Sequence, residues 1–347
     1  MNKNHKSLLI IAEAAQGYEG DPGLARALVR AAAGANADAL KLQLVYADEL
    51  CTPDYKHYEL FRSLEMPDAT WHELANYARS MNIGLMLDVF GSRSLALAEA
   101  VCAAAVKVHS TDMSNLGLLQ EIAVSRAPLV LLSTGGCLRD EIAEALGVLG
   151  EKDVVLLHGY QGYPTPIEGN QIERLSDLRG IADLAPRTGQ VRLGFADHAP
   201  SDDPLRHTLA ASALGLGACV LEKHITLALR MKMEDHESAL NPDEFAGFVD
   251  GMRRCFTALS LDGNASAPDF GMHESEHTYR ANTRKHVVAL KFLSAGTAIT
   301  PDMVGLKRTS SEHFLSDLRE VYGKHLAQDV PAASAITREM LRTEEKP

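Results

Sequence analysis

The sequence predicts a (β/α)8 barrel followed by a small β-rich module, and three observations carry that prediction. Short apolar runs recur from Leu8 to His224 with helical sequence between them, the pattern of buried parallel strands. Polar and ionisable residues close these runs repeatedly. Glu13 follows LLIIA, Lys41 and Gln43 close ADALKLQ, and Lys107, Ser110 and Asp112 lie in AVKVHSTD. Ser133 and Thr134 follow PLVLL, His158 follows DVVLL, Asp197 and His198 follow VRLGFA, and Glu222, Lys223 and His224 follow ACVL. Reactive groups at the C-terminal ends of successive parallel strands mark the active face of a barrel. The 347 residues also exceed the roughly 250 of a minimal barrel, leaving room for a second module.

Strands are expected over 8–13, 37–43, 83–89, 104–108, 128–132, 153–158, 191–195 and 218–223. The polar start is followed by an apolar run that Glu13 interrupts too soon for a signal peptide, so it reads as strand one. Residues 22–34 read as a helix, with Pro22 in the first turn and an alanine-rich stripe. The aromatic, mixed-charge stretch 45–67 reads as a long loop or lid over the barrel mouth. Residues 138–149 form an amphipathic helix with acids at its start. The segment 159–170, rich in Gly and Pro directly after a strand, is a turn-rich loop where substrate would sit. Residues 203–216 are nearly apolar between Leu209 and Leu216, so one face should lie against the sheet. A further helix runs from Pro242 to Ser260, with Asn241 as its expected cap. Composition then shifts to Gly, Asn, Ser and Pro. The division is a barrel over 1–262, a linker over 263–284 and a compact module over 285–347, small for an independent core.

Composition excludes several function classes. A net charge of −12 argues against a general nucleic-acid binder, while leaving room for a local basic pocket that takes a phosphorylated metabolite. Five widely separated cysteines give neither a disulfide framework nor a zinc spacing, and point to a reducing compartment. No stretch approaches a membrane span, so a cytoplasmic protein is expected. No GxGxxG follows strand one and no GxxxxGK[ST] occurs, which weighs against dinucleotide and P-loop readings.

Lys41 and Lys107 stand inside apolar segments, where lysine is rare unless paired. At one barrel mouth they would form an anion site, or one could act as a Schiff-base nucleophile; a structural ion pair with a carboxylate such as Glu13 is the plain alternative. His198 and His224 end adjacent strands and can converge on a divalent cation, with Glu13 or Asp112 completing the shell; either could instead simply hold a loop. Ser110, Ser133 and Thr134, with the backbone N–H groups of Gly135 and Gly136, would serve a phosphate, although capping of helix 138–149 explains them equally well.

These segments together resemble the sialic acid synthases (N-acetylneuraminate or nonulosonate synthases) across nearly the whole chain. The matching stretches are IIAEAAQGYEGD, ADALKLQ, KVHSTDMSNLGLL, PLVLLSTGG, LLHGYQGYPTP, GFADH, GACVLEKHIT and EDHESALNPDEF, and KFLSAGTAITPDMVGLKR resembles the start of an antifreeze-like (SAF) domain. The resemblance implies a barrel with a C-terminal antifreeze-like domain. It also implies metal-dependent condensation of phosphoenolpyruvate with a hexosamine-type aldose, with Mn²⁺ or Mg²⁺ as the ion. Lys41, Lys107 and Ser110 resemble phosphoenolpyruvate ligands, and Asp112 a residue near the reacting carbons, with Glu13 catalytic beside them. His198 and His224 resemble the metal ligands. Gln43, Ser133, Gln161 and Tyr163 would line the substrate pocket. A domain-swapped homodimer is implied, in which Arg280 or Arg284 contacts the sugar across the interface. Gly17 and Tyr18 replace the family's usual Asn–His pair and Ala196 its serine before Asp–His, so the sugar end is expected to be remodelled. A Schiff-base aldolase acting on a keto acid and a non-catalytic sugar or sugar-acid binder are the alternatives.

Overall fold

In the structure, a computed structural model, residues 7–184, 188–259, 268–310 and 315–342 are described. They fall into two compact units, 1–260 and 261–347. The boundary expected between 262 and 263 lies outside the described residues.

The first unit is a closed barrel of eight parallel strands in sequence order. These are β1 (Leu9–Glu13), β2 (Ala39–Gln43), β3 (Gly84–Val89), β4 (Ala105–Val108), β5 (Val130–Ser133), β6 (Val154–His158), β7 (Val191–Asp197) and β8 (Val220–His224). Each begins or ends within a residue or two of its predicted span. The outer helices are α1 (Pro22–Gly34), α2 (Ala47–Leu50), α3 (Tyr58–Leu64), α4 (Asp68–Ser80), α5 (Ser92–Ala100), α6 (Leu116–Val124), α7 (Arg139–Leu149), α8 (Arg174–Leu184), α9 (Thr208–Gly215) and α10 (Pro242–Leu259).

Local chemistry explains the helix ends. Asp21 accepts from the backbone N–H groups of Gly23 and Leu24 and Pro22 takes the first turn, so α1 starts where the sequence places it. One expected cap is replaced, and the other, Asn241, keeps its place before Pro242 but turns its side chain elsewhere. The Glu141 carboxylate accepts from the Leu138 N–H ahead of α7, so Ser133 and Thr134 are not its caps. The Glu244 carboxylate likewise accepts from the Asn241 N–H ahead of α10, while the Asn241 side chain accepts from the Leu229 N–H. The expected loop over 45–67 contains α2 and α3, two short helices in which only Ala47 and Leu64 are buried.

Alternation along the strands sorts the barrel. Ile11, Ala39, Met86, Ala105, Leu131, Val155 and Val220 form one apolar cluster. Two residues further along the same strands, on the same face, stand Glu13, Lys41, Asp88, Lys107, Ser133, Leu157 and Glu222. The barrel interior is thus apolar below and ionic above. The larger core lies on the other strand face and on the helices, among them Leu40, Leu42, Val106, Leu132, Leu156, Phe195, Leu221, Trp71 and Phe248.

The second unit contains α11 (Glu274–Thr283), inside the expected linker and without a buried residue, and two two-stranded antiparallel sheets. These are β9 (His286–Ala289) with β10 (Val304–Lys307), and β11 (His325–Leu326) with β12 (Leu341–Arg342). Val287, Leu293, Ile299, Val304, Val321, Leu326, Val330 and Ile336 belong to its own small core.

Candidate active site

Parallel register brings the strand-end residues side by side. Glu13 lies opposite Lys41 on β2 and His224 on β8, and Asp88 lies opposite Gln43 on β2 and Lys107 on β4. Because the barrel is closed, β8 delivers Glu222 to the same interior layer. Three carboxylates (Glu13, Asp88, Glu222) therefore meet two ammonium groups (Lys41, Lys107) in one buried ionic cluster.

Lys41 is its hub and is 0% exposed. Its Nζ pairs with Glu13, with Asp88 at 2.8 Å and with Glu222 at 3.6 Å. Lys107 stands one step nearer the mouth, with Glu222 at 3.3 Å and Asp88 at 3.4 Å. Charge count and burial set the protonation. Burial would lower the Lys41 pKa, but Asp88, Glu13 and Glu222 outweigh it and hold the ammonium well above its ordinary range. Burial would raise Asp88, but the Lys107 and Lys41 ammonium groups together bring it below the usual carboxylate range. Glu13 is pushed up to about 8, chiefly by burial and further by Glu222 and Asp88, against the opposing pull of Lys41. With three acids facing two lysines, Glu13 is the carboxyl that keeps a proton at neutral pH.

Above this cluster opens a cavity of about 200 Å³, lined among others by Glu13, Gln43, Lys107, His109, Ser133, Gln161, Tyr163, Ala196, His198, Glu222, His224 and Asp235. A cavity of about 320 Å³ lies at the other end of β4 and β5, against Cys102, Ala103, Arg126 and Pro128, and holds none of the predicted site residues. The smaller cavity carries the chemistry.

His198, His224 and Tyr163 form one wall. Their ring centroids are 5.5 Å apart for Tyr163 with either histidine and 5.6 Å for the histidine pair. His198 Nδ1 lies 3.1 Å from the Tyr160 carbonyl, an acceptor, so Nδ1 carries the proton and Nε2 keeps a free lone pair. Burial lowers the pKa of both histidines; for His224, the His198 ring and nearby lysines lower it further. Two neutral imidazoles at one wall fit a divalent cation with water or substrate in its remaining positions. Among the described residues, no group of three His, Cys, Asp or Glu side chains forms a ready cage.

The structure gathers Glu13, Lys107, Gln43, Ser133, Gln161, Tyr163, His198 and His224 around this cavity. Lys41 lies beneath it, walled off by the acids. Ser110 and Asp112 occupy a 3-10 turn after β4, where the Asp112 carboxylate accepts from Asn115 Nδ2, and neither is among the cavity-lining residues. Thr134 donates its hydroxyl to the Leu157 carbonyl. Arg280 belongs to α11 and Arg284 follows it, both in the second unit. Tyr18 does not reach the pocket. It is fully buried against Trp71, and its hydroxyl donates to the Gln43 carbonyl at 2.9 Å. Its effect on the sugar end would pass through Gln43.

Sequence reasoning gave no role to Asp88, His109 or Asp235. Asp88 closes GLMLDV as Glu13 closes its own run, so the same criterion would have found it. Asp235 arrives on the segment after β8, with its Oδ2 3.8 Å from His224 Nδ1, and no strand periodicity announces it. The grouping of Asp197 and Lys223 with the site residues is corrected by the pleat. They pair at 3.2 Å, fully buried, on the strand face opposite Ala196 and Glu222, and Lys223 also donates to the Ala199 carbonyl.

A model of the NeuB family matches residues 28–263 and one of the SAF domain matches residues 284–342. An uncharacterized protein of Methanocaldococcus jannaschii is 30% identical over 86% of this chain and 84% of its own. The N,N'-diacetyllegionaminic acid synthase of Legionella pneumophila is 27% identical over 94% of this chain and 92% of its own. In fold, the N-acetylneuraminic acid synthetase of Leptospira borgpetersenii superposes with a TM-score of 0.68 at 23% identity, over 81% of this chain and 95% of that one.

Proposed function

The chain belongs to the NeuB family, and from that premise we propose that it condenses phosphoenolpyruvate with an N-acetylated hexosamine-type aldose. It is a sialic acid synthase-like enzyme. The products would be a nonulosonic acid and inorganic phosphate. The observation that carries the reading is the Lys107 ammonium, fixed by two buried carboxylates at the pocket floor with the His198–His224–Tyr163 wall lining the same cavity.

Lys107 and Ser133 hold the anionic ends of phosphoenolpyruvate, while Gln43, Gln161 and Tyr163 line the acceptor side. The enol carbon attacks the aldose carbonyl, water adds at the carbon that carries the phosphate, and the C–O bond to phosphate breaks to leave a ketone. Glu13, protonated at neutral pH and facing the cavity, is placed to exchange a proton with the new hydroxyl. His198 and His224 would hold Mn²⁺ or Mg²⁺, which when bound supplies Lewis-acid polarisation of the carbonyl. The Schiff-base alternative finds little support. Lys41 is enclosed and held as an ammonium, and Lys107 is paired with two carboxylates.

The assembly belongs to the same reading: a cytoplasmic, domain-swapped homodimer in which Arg280 or Arg284 completes the sugar site of the other subunit. No helix among the described residues is long and apolar enough to cross a membrane. The test is phosphate release from phosphoenolpyruvate by purified protein with Mn²⁺ or Mg²⁺, over a panel of N-acetylated hexoses and diacetamido sugars. Release that depends on the sugar supports the reading. Tight sugar binding without release favours a non-catalytic binder.

A further inference from the structure

We propose that Asp88 is a positioning residue, acting through Lys107 to fix the ammonium that phosphoenolpyruvate meets; this rests on the reading of the pocket given above. Strand β3 lies between β2 and β4, so an inward side chain at its end can reach the lysines on both neighbours. Asp88 does so with separate oxygens: Oδ1 lies 2.8 Å from Lys41 Nζ and Oδ2 lies 3.4 Å from Lys107 Nζ. It is 0% exposed and is not among the cavity-lining residues, so it acts on a ligand only through its partners. Its Oδ2 has no hydrogen-bond partner closer than this ion pair. Glu222 meets the same two lysines from β8 at 3.6 and 3.3 Å. A lysine has several rotatable bonds and would otherwise sweep the pocket floor. Two fixed carboxylates, one from β3 and one from β8, leave it one place to stand, and Lys41 neutralises them from below.

The charge count makes the role separable from folding. Asp88→Asn removes one of three acids, and Glu13 can release its proton to leave two charges of each sign, so the side chain changes without an unbalanced interior. A carboxylate acting only as background negative charge predicts that D88N binds phosphoenolpyruvate as tightly as wild type or more tightly. A positioning carboxylate predicts weaker binding, because the ammonium loses its fixed place; a misplaced group of this kind costs on the order of tenfold or more.

The experiment is calorimetric titration of phosphoenolpyruvate into full-length wild-type, D88N, K107A and D88N/K107A proteins in one Mn²⁺-containing buffer, with a thermal melt of each. The expected result is D88N weakened by roughly tenfold with little change in melting temperature, and a double variant within about twofold of K107A alone. D88N equal to or tighter than wild type, or a double variant additive in both losses, overturns the proposal while leaving the pocket reading intact. Wild-type protein that binds no phosphoenolpyruvate overturns both. If D88N does not fold, D88N/K41M, which removes one charge of each sign, takes its place with the same two outcomes.

Discussion

His109 illustrates how burial beside a lysine sets the charge of a single residue. Burial, and then Lys107, hold its imidazole at about 4, below the ordinary 6.5. The folded protein therefore binds fewer protons there than the unfolded chain across this window. Stability from this group is complete above about pH 6.5 and is lost as pH falls toward 4. Replacing His109 with Gln should flatten that slope, narrowing the difference from wild type by on the order of 2 kcal/mol after allowing for its partial exposure. Urea unfolding of both proteins across the interval measures it, and parallel slopes would contradict the assignment. At the opposite wall, replacing His198 and His224 together with Ala should abolish Mn²⁺ binding with only a modest fall in melting temperature. Unchanged binding of one equivalent of Mn²⁺ by the double variant would make both histidines structural.

At the level of elements, the approach of the β5 and β6 ends is set by a missing side chain. A Cβ at Gly135 would lie 2.1 Å from the Gly159 carbonyl oxygen, so the two loops meet backbone to backbone. Gly135→Ala should cost roughly 1–3 kcal/mol by overpacking and displace Ser133 and Gln161 with the loop. Lower melting temperature together with a raised KM for phosphoenolpyruvate is expected; an unaltered enzyme would show that the loops separate freely. The same elements show what could be read in advance. All eight strands were legible, because each is an apolar run bounded by helical sequence or turns. Apolarity locates a strand but does not give its phase. Asp197, Lys223 and Asp88 all close apolar runs, yet the first two face outward and Asp88 faces inward. Residues 45–67 lacked a long periodic stripe, and α2 and α3 are too short to supply one.

On the scale of the molecule, the two units keep separate cores, with Ile10 to Met252 spanning the larger barrel cluster and Val287 to Ile336 the smaller one. A chain ending at Leu259 should therefore fold and bind phosphoenolpyruvate within about twofold of the full protein. Its KM for the acceptor sugar should rise on the order of tenfold if the C-terminal unit supplies a pocket wall. An unchanged KM would remove that unit from the site. Closure of the barrel has another consequence, for synthesis. Leu9 pairs with Val220 and Glu13 with His224, so one of the first strands made waits for the last. Until β8 leaves the ribosome, Lys41 and Lys107 lack Glu222 and the ring has two open edges. A nascent chain stalled after β7 should be open to protease along most of its length, and resistance should appear in a single step once β8 emerges.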